Sequence, residues 1–309
     1  MSYFTFKGGT WLERSARTGD DVVGNIPGDN RIHLWMEESE GKAANVLHSD
    51  TANKGKEALW GSLIYRQSQT TKEDLDVFHF FLSEDILVTN ELEYEIEEDL
   101  NKGKILNQME EATSNVELIM ILLGDMVSSI LHRIDLFEER LRTLLWAIKE
   151  ENDKKIFDEI VEVRHEVLMW KNMVLGFREI RMAVAETFGS DMTEGTEYKR
   201  TSIRIDRCVM LIDSYEDEVI NMIDMENVAA NYRGNEIIKT LTVLTALFTP
   251  LMAFGALWGM NFVNMPELYW EWGYWASLAL IAGATIGLYL YLRRKGWMGN
   301  LLGNPAKKK

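Results

Sequence analysis

The sequence predicts an α+β domain, then one long helix, and then a hairpin of two membrane-spanning helices. Short alternating apolar runs separated by glycine and proline occupy residues 4–97 and are typical of strands and turns. Apolar residues at helical spacing follow over residues 105–188. Two stretches without a charged residue, 240–266 and 272–292, come last. Each is long enough to cross the hydrocarbon core of a bilayer as a helix.

The soluble part is expected to contain both strands and long helices. Strands are predicted for the segments RIHLWMEE (31–38), SLIYRQSQ (62–69) and VFHFFLSEDILVTN (77–90). Gly189 and Ser190 interrupt the helical pattern. A third long helix is predicted to start between residues 194 and 200 and to run unbroken into the first span.

These patterns suggest six segments, of which the first two form the cytoplasmic domain. They are an α/β subdomain (1–104), a helical subdomain (105–192), a stalk helix with the first span (193–261), an outer loop (262–272), the second span (273–293) and a basic tail (294–309).

Composition excludes some functions. The formal net charge is −16, so nucleic acid is not an expected partner, because phosphate binding needs a basic surface. An acidic balance fits attraction of cations, but composition alone favours plain solubility as its explanation. The single cysteine, Cys208, excludes an internal disulfide and a cysteine-based zinc site. The N-terminal segment has no apolar core of signal-peptide length, so the chain is expected to start in the cytoplasm.

Charge and aromatic residues set the predicted membrane topology. Arg293, Arg294 and Lys295 follow the second span, whereas the short loop between the spans carries Glu267 and Glu271 and no basic residue. Because positive residues stay on the cytoplasmic side, both termini are expected inside a cell (inner) membrane that the chain crosses twice. An aromatic belt is expected at the outer boundary, from Trp258, Tyr269, Trp270, Trp272, Tyr274 and Trp275.

One face of the first span carries hydroxyl and small side chains at helical spacing. We call this face the threonine stripe; it comprises Asn235, Ile238, Thr242, Thr245, Thr249, Met252 and Ala256, with Leu241 at its border. Such a stripe either packs against another helix or lines a pore, and the spacing does not separate the two. Two helices cannot enclose an aqueous path, so a pore would need several copies of the chain.

The end of the first span carries a recognisable motif. Gly259, Met260 and Asn261 close the span, and Met-Pro-Glu-Leu follows at 265–268. Together with the upstream text NEIIKTLTVLTALFTPLMAFGALWGMNF, this resembles the CorA family of magnesium channels. The resemblance is close over residues 231–295 and fainter at FHFFLSEDILVTNE (78–91). It implies a funnel-shaped homopentamer whose ring of Asn261 residues is the outer selectivity filter.

The resemblance also implies roles for the threonine stripe. Thr245 and Thr249 would contact the water shell of the ion, with Thr242 and Met252 lining the same path. Ile238 and Leu241 would form an apolar gate. Asn235 would provide a polar ring at the inner end, and Glu267 and Glu271 would concentrate cations at the outer mouth.

The filter chemistry suits magnesium. Mg²⁺ prefers six oxygen ligands and gives up its water reluctantly. Neutral carboxamides hold the hydrated ion without trapping it, which conduction requires. Without the resemblance, Asn261 would be interpreted as a helix C-cap.

The sequence also departs from the family pattern. Trp258 replaces the usual tyrosine before Gly-Met-Asn, and Ile238 replaces the usual methionine. Arg200 stands where the family has a regulatory aspartate, which argues against a metal sensor of the usual kind.

The expected function is uptake of largely hydrated Mg²⁺, driven by the membrane potential. A Zn²⁺, Co²⁺ or Ni²⁺ transporter of the same fold, and a non-conducting membrane-anchored scaffold or sensor, remain alternatives. No phosphate-binding loop and no set of catalytic residues is present, so neither a cofactor nor enzymatic activity is expected.

Overall fold

The computed structural model describes residues 2–14, 30–39, 44–68, 71, 74–90, 92, 102–150 and 154–298. They belong to two compact units, Met1–Ile223 and Asp224–Lys309. The lysines of the predicted basic tail, at 307–309, lie outside the described residues.

The first unit is built on a six-stranded sheet. Its strands are β1 (Ser2–Phe6), β2 (Gly9–Arg14), β3 (Val46–Asp50), β4 (Ala58–Gln67), β5 (Leu75–Ser83) and β6 (Leu87–Asn90). The spatial order is β1-β2-β6-β5-β4-β3. Only β2 and β6 pair in parallel, with Trp11 opposite Leu87; the other neighbours are antiparallel. The strand predicted from 62–69 is confirmed as far as Gln67 in β4, and residue 69 lies outside the described residues. The strands predicted from 77–90 are confirmed in β5 and β6.

Side-chain alternation gives the sheet two apolar faces. Trp11, Phe80 and Leu87 lie in the main core with the long helices. Their chain neighbours Leu12, Phe81 and Val88 form a second core with helix α1 (Asn30–Ser39). Because successive side chains of a strand point to opposite faces, both faces of these strands are apolar and both are covered.

The strand prediction for residues 31–38 is wrong, because this segment lies in α1. Ile32, Trp35 and Met36 are buried at 2%, 2% and 6% exposure. Their spacing of three and four residues places them on one helical face. The short alternation I-H-L-W-M imitated a strand, whereas the requirement to cover the outer face of the sheet selected the helix.

Long helices complete the first unit. They are α2 (Lys102–Met109), α3 (Asn115–Glu150), α4 (Lys154–Thr193) and the first part of α5 (Thr196–Trp258). The break predicted at Gly189 is present, with φ 74° and ψ −172° inside α4. The third long helix is also confirmed: α5 begins at Thr196 and continues through Pro250 without interruption.

Asn115 joins the sheet to α3. Its side chain is 2% exposed, accepts a hydrogen bond from the Thr10 backbone N–H at 3.1 Å, and donates one to the Glu84 carbonyl at 2.6 Å. Gly9, at φ 158°, lies directly beneath it, and a Cβ there would lie 1.9 Å from the Asn115 Oδ1 atom. The turn between β1 and β2 therefore needs glycine at this position.

The second unit contains the rest of α5, a short 3-10 turn (Pro266–Tyr269) and α6 (Gly273–Arg294). Three described helices are long and apolar enough to cross a membrane: α3, α5 and α6. Burial separates them, since 89% of the most apolar window of α3 is buried inside the protein, against 6% for α5 and for α6. A helix that is apolar and uncovered needs lipid or other helices around it, so α5 and α6 are the candidate membrane spans, whereas α3 is a core helix.

Candidate functional site

The threonine stripe lies on one uncovered face of α5. Ile238, Leu241 and Met252 are 63%, 62% and 58% exposed, and Asn235 and the three threonines are exposed as well. The structure thus brings all the predicted pore-lining residues to one surface. From Asn235 to Met252 the stripe extends about 25 Å along the helix axis, at 1.5 Å per residue.

The hydroxyl groups of the stripe share one hydrogen-bonding pattern. Thr242 donates to the Ile238 carbonyl at 2.8 Å, and Thr245 donates to the Leu241 carbonyl at 2.9 Å. Thr249 donates to the Thr245 carbonyl at 2.9 Å. Each hydroxyl proton is therefore engaged with the backbone one turn earlier, while the oxygen lone pairs face outward as acceptors. A row of such acceptors suits the hydrogens of water molecules around a cation.

A different face of α5 carries the covered residues of the span. Val243 is 1% exposed, and Leu247 and Phe254 are half-buried. At 100° per residue these side chains point roughly 140–180° away from the centre of the stripe. The packing of the single chain therefore uses one side of α5 and leaves the stripe for another partner, either solvent or further protein.

The Gly-Met-Asn motif follows directly after α5. The last helical hydrogen bonds run from the Gly259 N–H to the Gly255 carbonyl at 3.0 Å and from the Met260 N–H to the Leu257 carbonyl at 3.4 Å. A Cβ on Gly259 would lie 2.9 Å from the Gly255 oxygen, so the chain turns here on a residue without a side chain. Asn261 is exposed, and its carboxamide forms no capping hydrogen bond with any residue that the structure describes. The carboxamide is available for an external ligand.

The loop after the motif is anchored by a few residues. Met265 is 9% exposed, whereas Val263, two residues earlier, is 90% exposed. Glu271 is exposed near the start of α6. Glu267 lies in the 3-10 turn, but its side chain is outside the described ones. Both acidic residues thus belong to the segment between α5 and α6.

Arg200 lies in the first turns of α5, in the first unit. Its guanidinium binds the Glu197 carboxylate at 2.6 Å, and Lys199 binds Glu194 at the same distance. A polar cavity of about 560 Å³ lies beside Arg200, and Glu111 of the neighbouring α2–α3 connection also lines it. Arg200 thus introduces a positive charge and an intrahelical ion pair at this position.

Acidic residues further along α5 are partly neutralised from α4. Lys171 binds Glu216 and also Asp213, the latter at 3.1 Å. Hydrogen bonds to Glu216 and then Asp213 raise the pKa of Lys171. Within the part of the chain that the structure describes, no group of three or more His, Cys, Asp or Glu side chains is arranged to hold a metal ion.

Sequence reasoning missed Glu117, a buried carboxylate that connects two helix starts. One oxygen accepts hydrogen bonds from the Thr113 backbone N–H and hydroxyl, each at 2.8 Å, and the other accepts from the Glu197 N–H at 3.1 Å. Gly195 allows this approach, since a Cβ there would lie 2.3 Å from the Glu117 oxygen. Burial opposes ionisation, but these hydrogen bonds outweigh it and lower the pKa of Glu117.

A local signal for this residue did exist. Ser114 and Glu117 form the Ser-x-x-Glu pattern of a capping box, and the Glu117 N–H donates to the Ser114 hydroxyl at 3.3 Å. That pattern predicts the start of α3. It contains no information about Glu197, 80 residues further along the chain, whose position only the packed structure provides.

Comparison with known proteins places this arrangement among ion transporters. The family model described as CorA-like Mg²⁺ transporter protein matches residues 37–294. The magnesium transport protein CorA of Bacillus subtilis is 41% identical over 275 residues, which cover 89% of this chain and 86% of that protein. The cobalt/magnesium transport protein CorA of Thermotoga maritima is 32% identical over 87 residues, or 28% of this chain and 25% of that one.

Two solved structures share the fold at low sequence identity. The CorA magnesium transporter of Methanocaldococcus jannaschii has a TM-score of 0.62 and 14% identity, covering 96% of this chain and 93% of that one. The full-length CmaX protein has a TM-score of 0.65 and 15% identity, covering 94% and 89%.

Proposed function

The chain belongs to the CorA-like Mg²⁺ transporter protein family, and from this premise we propose that it conducts largely hydrated Mg²⁺ across a cell membrane. The uncovered threonine stripe supports this proposal most directly, because it presents acceptor oxygens along one face of a span that ends at Gly259, Met260 and Asn261. A path of this kind conducts by repeated weak contacts with the water shell of the ion.

Several copies of the chain are needed to enclose the path. Two spans cannot surround water, so the stripes of neighbouring copies face a common axis, and we propose a homopentamer from the family resemblance. Both termini lie in the cytoplasm, since Arg293, Arg294 and Lys295 follow the second span. The membrane potential then drives entry, with about 4.6 kcal/mol per 100 mV for a divalent ion.

Individual residues have separate roles in this proposal. Asn261 supplies a ring of carboxamides that hold the hydrated ion at the outer end of the path. Thr245 and Thr249 accept hydrogen bonds from its water further in. Ile238 and Leu241 form an apolar constriction that closes by losing water. Thr242 and Met252 line the path between these levels, Asn235 lines its inner end, and Glu267 and Glu271 concentrate cations at the outer mouth.

The test is cation flux into proteoliposomes that contain the purified full-length protein. Mg²⁺ is compared with Co²⁺, Ni²⁺ and Zn²⁺, and Co²⁺ has particular interest because cobalt appears in the name of the Thermotoga maritima relative. We expect Mg²⁺ entry that Asn261→Ala abolishes. The matched control is Asn264→Ala, which removes another exposed loop carboxamide three residues later and should leave flux unchanged.

Other outcomes would change the assignment. Zinc entry without magnesium entry would keep the fold and replace the substrate. Equal Mg²⁺ flux in wild type and Asn261→Ala would refute the role of Asn261 as the filter. No flux of any ion from correctly assembled protein would favour a non-conducting scaffold.

A further inference from the structure

A cavity of about 430 Å³ lies in the second unit, between the end of α5 and the first turns of α6. The residues that line it include the aromatic residues Trp258, Trp270 and Tyr274 and the acidic residue Glu271. Small and apolar side chains of α6 continue the wall as far as Leu280. The cavity is distinct from the threonine stripe, none of whose residues lines it.

The charge of the cavity selects for a cation. Among the described lining residues Glu271 is the one charged group, and it forms no ion pair or hydrogen bond with any residue that the structure describes. Aromatic faces attract cations through their electron-rich surfaces, most strongly when the cation carries few waters. Mg²⁺ holds its water shell and gains little from aromatic walls. The lining therefore fits an organic ammonium group better than a hydrated metal ion.

The shape of the cavity indicates a molecule with an apolar end. From Gly273 to Leu280 the helix rises about 10 Å, so the cavity extends from the loop into the lipid-facing part of α6. Leu280 is 49% exposed on that side. The Trp258 ring stacks on Phe254, with the ring centroids 5.6 Å apart, so one aromatic wall is already held in place. Tryptophan and tyrosine are also the residues that mark the membrane interface.

We propose that this cavity binds the ammonium head group of an amino-phospholipid in the outer leaflet. The ammonium lies against Glu271 and the faces of Trp258 and Trp270, and an acyl chain follows α6 towards Leu280. The outer position rests on the membrane topology proposed above. Lipid binding itself does not depend on whether the chain conducts Mg²⁺.

The experiment measures lipid affinity of the full-length protein in detergent by native mass spectrometry. Palmitoyl-oleoyl-phosphatidylethanolamine is titrated against palmitoyl-oleoyl-phosphatidylglycerol, which has the same acyl chains and no amine. We expect the wild type to prefer the amine lipid. Trp270→Ala and Glu271→Gln should each weaken amine-lipid binding about fivefold or more, while glycerol-lipid binding stays unchanged.

The matched control is Trp272→Ala. Trp272 is 67% exposed, Trp270 is 61% exposed, and Trp272 does not line the cavity. It precedes α6 and forms no side-chain capping hydrogen bond, so its removal should leave both lipid affinities unchanged. Asn261→Ala is also outside the lining and should keep amine-lipid affinity whatever its flux, which separates this inference from the proposed channel activity.

Three results would overturn the proposal. The first is equal wild-type affinity for the two lipids. The second is unchanged amine-lipid affinity in both Trp270→Ala and Glu271→Gln. The third is free ethanolamine binding as tightly as the amine lipid, which would assign the cavity to a soluble amine instead of a phospholipid.

Discussion

Replacing Glu117 with glutamine should loosen the start of α5 and destabilise the first unit. The wild-type carboxylate is 3% exposed and accepts three hydrogen bonds, two from Thr113 and one from Glu197. Glutamine keeps one acceptor oxygen but turns an NH₂ group towards donors on the other side. Either the two Thr113 donors or the Glu197 N–H then lack an acceptor, at a cost of about 2–3 kcal/mol in the free energy of unfolding. For a unit of this size the unfolding midpoint should fall by roughly 5–10 °C.

Thermal unfolding of the full-length protein in detergent measures this loss, with all variants scanned at one rate. Glu139→Gln is the matched control, because Glu139 is an exposed residue of the same helix and its side chain has no partner among the described residues. Hydrogen exchange adds a local readout, since the Glu197 amide should exchange faster in Glu117→Gln. An unfolding midpoint equal to that of Glu139→Gln would refute the reasoning.

The stability difference between wild type and Glu117→Gln should also depend on pH. The folded-state pKa of Glu117 is lowered, so its stabilising contribution is complete above the unfolded pKa of about 4.3 and is lost as the pH falls through the folded pKa. The stability difference between wild type and Glu117→Gln should therefore be largest at neutral pH and shrink in acid. A difference that stays constant from pH 7 to pH 3 would contradict an ionised Glu117.

Three further experiments test separate features. Gly8→Ala places a Cβ 2.4 Å from backbone atoms of the α2–α3 connection, so it should lower the free energy of unfolding by more than about 2 kcal/mol. In the control Gly234→Ala the added Cβ has nothing within 4 Å, so this change should cost no stability. Equal unfolding midpoints of the two variants would contradict this prediction. Burial raises the pKa of Cys208 to about 12. A disulfide reagent at pH 8 should therefore label the thiol of the native protein far more slowly than that of the denatured protein. Rapid labelling of the native protein would disprove the burial of Cys208. Thr249→Val should lower Mg²⁺ flux about twofold to tenfold, because it removes an acceptor oxygen. The control Thr249→Ser keeps the oxygen and should conduct as the wild type does. Equal flux in the two variants would exclude the Thr249 hydroxyl from the path.

Much of the fold was predictable from local patterns. The uncharged stretches predicted two apolar helices of membrane-spanning length, and α5 and α6 have that length and composition. Gly189 and the continuous pattern after residue 194 predicted the break in α4 and the unbroken α5. Residues 31–38 were misassigned, because a segment of eight residues fits both periods and the neighbouring sheet face decides between them.

Some features of the candidate site could likewise be predicted from the sequence, and others could not. Spacing alone placed the threonine stripe on one face, since helical periodicity is a property of the sequence. Neither the orientation of the hydroxyl protons towards the backbone nor the uncovered state of the stripe could be predicted, because both depend on atoms outside the pattern. The aromatic cavity also required the loop and α6 to come together beside Trp258.

By itself the sequence determined which segments are long and apolar enough to cross a membrane, which face of α5 is polar, and where the Gly-Met-Asn motif lies relative to that helix. These features follow from composition and from a period of 3.6 residues, which no tertiary contact alters. Only the tertiary structure decided that α3, as apolar as a span, is a core helix, and that Glu117 supports the start of α5 from 80 residues away. Burial and long-range hydrogen bonds depend on what surrounds a residue in space, and local sequence patterns do not specify those surroundings.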